Sequence, residues 1–141
     1  MAILAIFGEN IFYNFYNFYL GKNYMDTLAF ARCDVTDSWS LHGLWPDFGN
    51  GSWPSYCYDT DCETAITDAL FNEMDEYYPP CWSDHRDLMC HEWMKHGTCF
   101  YELGLTVSPE EYFNDTLDAY LKYYADIPEE TDELNYYLKL R

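Results

Sequence analysis

Three of the four histidines fall inside two short segments: Ser40-Leu41-His42-Gly43-Leu44-Trp45-Pro46-Asp47 and His91-Glu92-Trp93-Met94-Lys95-His96-Gly97-Thr98-Cys99. The second segment also holds a carboxylate, Glu92, and Lys95, one of seven basic residues in the chain. Imidazoles can take up and release protons near neutral pH, and a lysine can offset negative charge that grows during a reaction. On a helix advancing about 100° per residue, positions 91, 95, 92 and 96 project near 0°, 40°, 100° and 140°. His91, Lys95, Glu92 and His96 therefore share one arc, while Trp93 and Met94 leave from the other side. Trp93 is read as a packing residue.

Zinc is the first rival chemistry. A helical zinc-protease site needs His-Glu-x-x-His, with the two histidines at i and i+4. Here the i+4 place is Lys95, a cation that repels a metal, and His96 comes one residue later. No metal and no cofactor are expected. RNA suits the cluster better, because it brings its own nucleophile, the 2′-hydroxyl. One group must remove that proton, another must protonate the departing 5′-oxygen, and cations must steady the phosphorane. Two histidines with a Lys/His clamp meet those needs, and the product is a 2′,3′-cyclic phosphate that water opens by the reversed roles. Two histidines starting near pKa 6.5 predict a bell-shaped pH profile.

His42-Gly-Leu-Trp-Pro-Asp and His91-Glu-Trp-x-Lys-His-Gly-Thr-Cys resemble the two active-site blocks of the ribonuclease T2 family, in the same order and at a similar separation. The likeness runs from about Cys33 to Tyr124 and is weaker before it. It implies that His42 and His96 are the acid–base pair, with the direction of transfer open between them. It further implies that His91 binds phosphate and that Glu92 and Lys95 stabilise the pentavalent transition state. The family's base pocket is similar to Trp45, Asp47 and Trp53, where stacking is worth roughly 1–3 kcal/mol per base. Trp45 and Trp53 read equally well as packing residues, and Asp47 is placed to accept from an exocyclic amine. By the same resemblance Cys57 pairs with Cys99 and Cys33 with Cys81, which leaves Cys62 with Cys90, a pair the family pattern does not itself supply. The Gln-Trp-Pro and cysteine that the family carries upstream are here Gly21-Lys22-Asn23 and Met25.

The chain of 141 residues suits one domain, read as residues 1–141. Hydrophobic residues make up 49% and aromatics 21%, which excludes a disordered segment. No apolar run reaches the roughly 20 residues of a membrane-spanning helix, so no membrane partner is expected. Six cysteines and the sequons Asn50-Gly-Ser and Asn114-Asp-Thr point to an oxidising, secretory setting and to a glycoprotein. The opening Met1-Ala-Ile-Leu-Ala-Ile-Phe is too short and too soon acidic for a signal segment. The net charge of −18 is not that of a conventional RNA binder with a basic stripe. It fits a local cationic site on an acidic protein that works in acid, outside the cell or in a vacuole- or lysosome-like compartment.

Several elements must position these residues. Asn10 to Leu20 is aromatic and β-prone, and reads as a strand of the central sheet. Trp39-Ser40-Leu41-His42 reads as a second strand that ends at His42, with loop from Asp47 to Ser55. A helix is expected from about Glu63 to Tyr77, with Ile66, Leu70 and Met74 on one side. Ser108-Pro109-Glu110-Glu111 starts another that runs to about Tyr124, with Tyr112, Leu117, Tyr120, Leu121 and Tyr124 mostly inward. His85 matches no motif and reads as an exposed loop residue. The chain ends at Arg141, before the family's remaining strands.

The expectation is an α+β, disulfide-stapled domain: a central antiparallel sheet flanked by helices, smaller than the usual family fold. Its function is expected to be cleavage of single-stranded RNA without metal. The competing reading is a secreted, disulfide-rich RNA- or partner-binding module with weak or no catalysis.

Overall fold

The computed structural model describes residues 25–106 and 108–140, so the strand expected over Asn10 to Leu20 lies outside the described residues. The described sheet has three antiparallel strands: β1 (Met25–Ala31), β2 (Ser40–Asp47) and β3 (Asn135–Leu140), in the order β2-β1-β3. Opposed residues share a face. Leu28 lies between Leu44 and Leu138 on the core face, while Thr27 lies between Trp45 and Lys139 on the other.

The strand through His42 does not end there; it continues to Asp47. Its two core leucines, Leu41 and Leu44, are three residues apart, which strict alternation cannot bury together. The register between β1 and β2 shifts at Ala29/Phe30, where Ala29 opposes Gly43 but Phe30 opposes Leu41. His42 is the extra residue of a β-bulge, the device that redirects a side chain without ending a strand.

The expected helix over Glu63 to Tyr77 is broken in two: α1 (Cys62–Ala65) and α2 (Asp68–Met74), with a 3₁₀ turn at Asp75–Tyr77. Thr67 takes an extended conformation and caps α2 by accepting from the Leu70 N–H, so the chain restarts rather than continues. Next come α3 (His85–Glu92), a π-helical turn (Trp93–Gly97) and α4 (Thr98–Glu102). The last helix, α5 (Pro109–Tyr123), begins as expected, with the Ser108 hydroxyl accepting from the Glu111 N–H. Tyr112, Leu117 and Tyr120 are buried, but Leu121 and Tyr124 are exposed. Position 121 lies about 100° from 120 and leaves the core arc, and the helix gives way to a 3₁₀ turn at Tyr124.

The core lies between the sheet and the helices, around Leu28, Phe30, Leu41, Met89, Trp93, Tyr112 and Phe113. Two buried tyrosines fasten α5 to the sheet: the Tyr112 hydroxyl donates to the Leu44 carbonyl and Tyr120 to that of Trp39. The buried Arg32 organises the approach to β3. Its guanidinium donates to the carbonyls of Asp37, Glu129, Thr131 and Glu133 and lies 4.1 Å from the Trp39 ring centroid. The sulfurs join Cys33 to Cys81, Cys57 to Cys99 and Cys62 to Cys90, with Cα separations of 5.9, 5.0 and 5.4 Å.

Candidate active site

The non-core face of the sheet and the α3–π-turn segment enclose a cleft of about 520 Å³. Into it β2 places His42, Trp45 and Asp47, the following loop places Trp53, and the helical segment places His91, Glu92, Lys95 and His96. All eight residues expected from the sequence therefore line one space. The strand β3 adds two that sequence reasoning missed, Tyr137 and Lys139, and β1 adds Thr27. Trp82 was also missed; its ring meets the edge of His42 at 5.0 Å. The alternation of Asn135-Tyr-Tyr-Leu-Lys-Leu was the available signal for β3.

Glu92 is the centre of the arrangement and is 1% exposed. Its Oε1 lies 3.2 Å from His42 Nε2, and its Oε2 lies 3.8 Å from His96 Nε2. The Trp45 indole N–H donates to Oε2 at 2.8 Å. Gly43 makes this convergence possible: a Cβ there would collide with the Glu92 carboxylate and sit 2.8 Å from Trp45 Nε1. Gly97 does the same for packing, since a Cβ would press into the Trp93 ring.

The π turn widens the helix where Lys95 and His96 sit, a local irregularity that often accompanies functional sites. The loop after β2 is fixed to it, because the Tyr56 N–H donates to the Lys95 carbonyl at 2.9 Å and the Cys57 N–H donates to the Thr98 hydroxyl at 3.1 Å. The Cys57–Cys99 bridge holds the same junction.

Burial pushes the His96 imidazole down to about 3, and the nearby Lys95, His91 and His42 add to the effect. His96 therefore stays neutral well below the pH at which a free imidazole takes up its proton. The Nδ1 atoms of His42 and His96 are buried without a hydrogen-bond partner among the described residues. Such orphaned polar atoms are uncommon in structural positions.

The two tryptophans of the expected base pocket differ. Trp45 has its ring stacked on His96 at 4.9 Å, its edge near His42 at 5.1 Å and its N–H on Glu92. Trp53 is 60% exposed at the rim. Asp47 is buried and accepts on both oxygens: Oδ2 from the Thr27 hydroxyl (3.0 Å) and the Lys139 ammonium, Oδ1 from the Gly49 N–H (2.7 Å). Burial alone would raise its carboxyl, but donors from Lys139, Gly49 and Thr27 outweigh burial and hold it below the usual carboxylate value.

His85 is not an exposed loop residue. It is the first residue of α3, with Nδ1 2.7 Å from Asp75 Oδ1 and Nε2 2.9 Å from the Pro79 carbonyl, outside the cleft.

Residues 14–130 match the ribonuclease T2 family. The chain belongs to that family. It is 35% identical over 102 residues to a "Ribonuclease T2-like" protein of Aspergillus fumigatus, covering 61% of this chain and 25% of that protein. It is 40% identical over 76 residues to "Ribonuclease Trv" of Hypocrea rufa, covering 48% of this chain and 32% of the relative. The chain thus spans less than half the length of these T2 relatives. The fold resembles that of human RNase T2, with a TM-score of 0.53, 25% identity, and coverage of 70% of this chain and 56% of the other.

Proposed function

We propose that this T2-family chain is an endoribonuclease that cleaves single-stranded RNA through a 2′,3′-cyclic phosphate. The observation that carries the reading is the convergence of His42 and His96 on the one buried Glu92 carboxylate, beside His91 and Lys95. His96, kept neutral, accepts the 2′-hydroxyl proton. The 2′-oxygen attacks phosphorus, and the bond to the 5′-oxygen breaks as His42 delivers a proton to it. Lys95 and His91 face the non-bridging oxygens, where charge grows. Glu92 acts through His42, fixing its ring, rather than on the substrate. Trp53 offers an open aromatic face for a base. Water then opens the cyclic ester with the two histidines exchanging roles. Three disulfides fit a secreted protein or one of an oxidising endomembrane compartment.

The test incubates pure protein with an RNA dinucleoside at acid pH in the presence of chelator. A cyclic phosphate product supports the enzyme. Intact RNA despite measurable binding overturns it in favour of a binding module. His42→Ala and His96→Ala should each lower turnover by roughly 10²–10⁴. Lys95→Ala should act on turnover more than on affinity.

A further inference from the structure

We infer that Lys139 sets the base preference of the cleft, favouring bases that carry a carbonyl at the exocyclic position (O4 of uracil, O6 of guanine) over those that carry an amine there (N4 of cytosine, N6 of adenine). The inference rests on the proposed RNA site and concerns its polar end. An exocyclic amine needs an acceptor, and Asp47 is the carboxylate at this end of the cleft. Its oxygens already accept from Thr27, Gly49 and Lys139.

An ammonium has three donors. Lys139 places one on Asp47 Oδ2 and one on the Thr27 hydroxyl, at 2.7 Å for the latter. The third remains on a half-exposed side chain that lines the cleft. The polar edge offered to a base is therefore a donor, which pairs with O4 of uracil or O6 of guanine, where cytosine and adenine carry a second donor. An amine approaching Asp47 Oδ2 would have to compete with the bound ammonium and the Thr27 hydroxyl.

The sheet fixes this arrangement. Trp45, Thr27 and Lys139 are opposed across the three strands, so Lys139 cannot leave the cleft face without a slip of β3. Two residues earlier on the same face, Tyr137 lies 5.6 Å from the Trp45 ring and walls the outer side. With Trp45 engaged by His96, Tyr137 and Trp53 are the aromatic faces left to hold a base.

The experiment measures binding of 2′-UMP, 2′-GMP, 2′-AMP and 2′-CMP by quenching of tryptophan fluorescence, and separately the cleavage of UpU and ApA. The expected result is about tenfold tighter binding of the two oxo nucleotides than of the two amino nucleotides, the scale of one well-placed polar base contact. Lys139→Met should collapse or invert that ratio by freeing Asp47, and Lys139→Arg should preserve the direction. Equal or reversed preference in the wild type overturns the inference, as does a ratio unchanged in Lys139→Met. The wild-type ratio alone decides the matter if a variant fails to fold. Discrimination in binding without any cleavage leaves this inference standing and removes the catalytic reading instead.

Discussion

His96 and Trp45 show how much a single side chain's surroundings decide. The His96 pKa falls from 6.5 to about 3 because the buried ring cannot accept charge beside other cations. As the base, it should place the acid limb of turnover near pH 3 rather than near 6.5. A limb with its midpoint near 6.5 would assign the base to another group. Stability should follow the same proton. Between pH 6.5 and 3 the unfolded chain binds a proton that the folded chain refuses, so stability held above 6.5 drains as pH falls. The limit is about 1.4 kcal/mol per pH unit, and urea unfolding of His96→Asn against wild type at pH 7 and pH 4 reads it. Trp45→Phe and Trp53→Ala should separate by mechanism. The first removes the donor on Glu92 and should lower turnover; the second removes an exposed face and should raise KM with turnover nearly unchanged.

At the level of elements, a bulge and a clasp bring the site together. The bulge at His42 lets Leu41 and Leu44 both enter the core and turns the imidazole towards Glu92. The clasp is Arg32, which gathers carbonyls from the segment leading into β3 and so fixes Tyr137 and Lys139 over the cleft. Its charge is met by four partly buried carbonyl oxygens and a tryptophan face, so removing it takes the donor from all four at once. Arg32→Met should cost about 2–4 kcal/mol, since four hydrogen bonds worth about 0.5–1.5 kcal/mol each are lost and water recovers part of them. Amide hydrogen exchange should show β3 opening before β1 and β2. Exchange that rises equally in all three strands would mean that Arg32 supports the whole domain and not β3 in particular.

Across the whole molecule, the disulfides tie segments that the sheet does not reach. Cys57–Cys99 closes the rim loop onto the end of the π turn, and Cys62–Cys90 fixes α1 to α3. Each should contribute roughly 2–4 kcal/mol. Replacing Cys57 and Cys99 together by alanine should lower stability by that amount and weaken nucleotide binding, because Trp53 rides on the released loop. Peptide mapping of unreduced protein that joined Cys90 to Cys99 would overturn this pairing. The acidic charge of −18 predicts that RNA association quickens as pH falls, as measured by stopped-flow binding at fixed ionic strength.

The sequence by itself marked out the candidate site. Residue types at fixed spacing put His91, Glu92, Lys95 and His96 on one helical arc, and the Ser108 cap and proline announced α5. Those signals are local, so they survive in one dimension. The break at Thr67, the bulge at His42 and the pairing of His85 with Asp75 and Pro79 were not legible, because each depends on a partner supplied by packing. Only the tertiary structure showed that Trp45 stacks on His96 and donates to Glu92. Only strand pairing carried Lys139 across 92 positions to Asp47, turning an acceptor edge into a donor edge. Hydrogen-bond partners distant in sequence are chosen by register, and register is decided by which faces the finished core must bury.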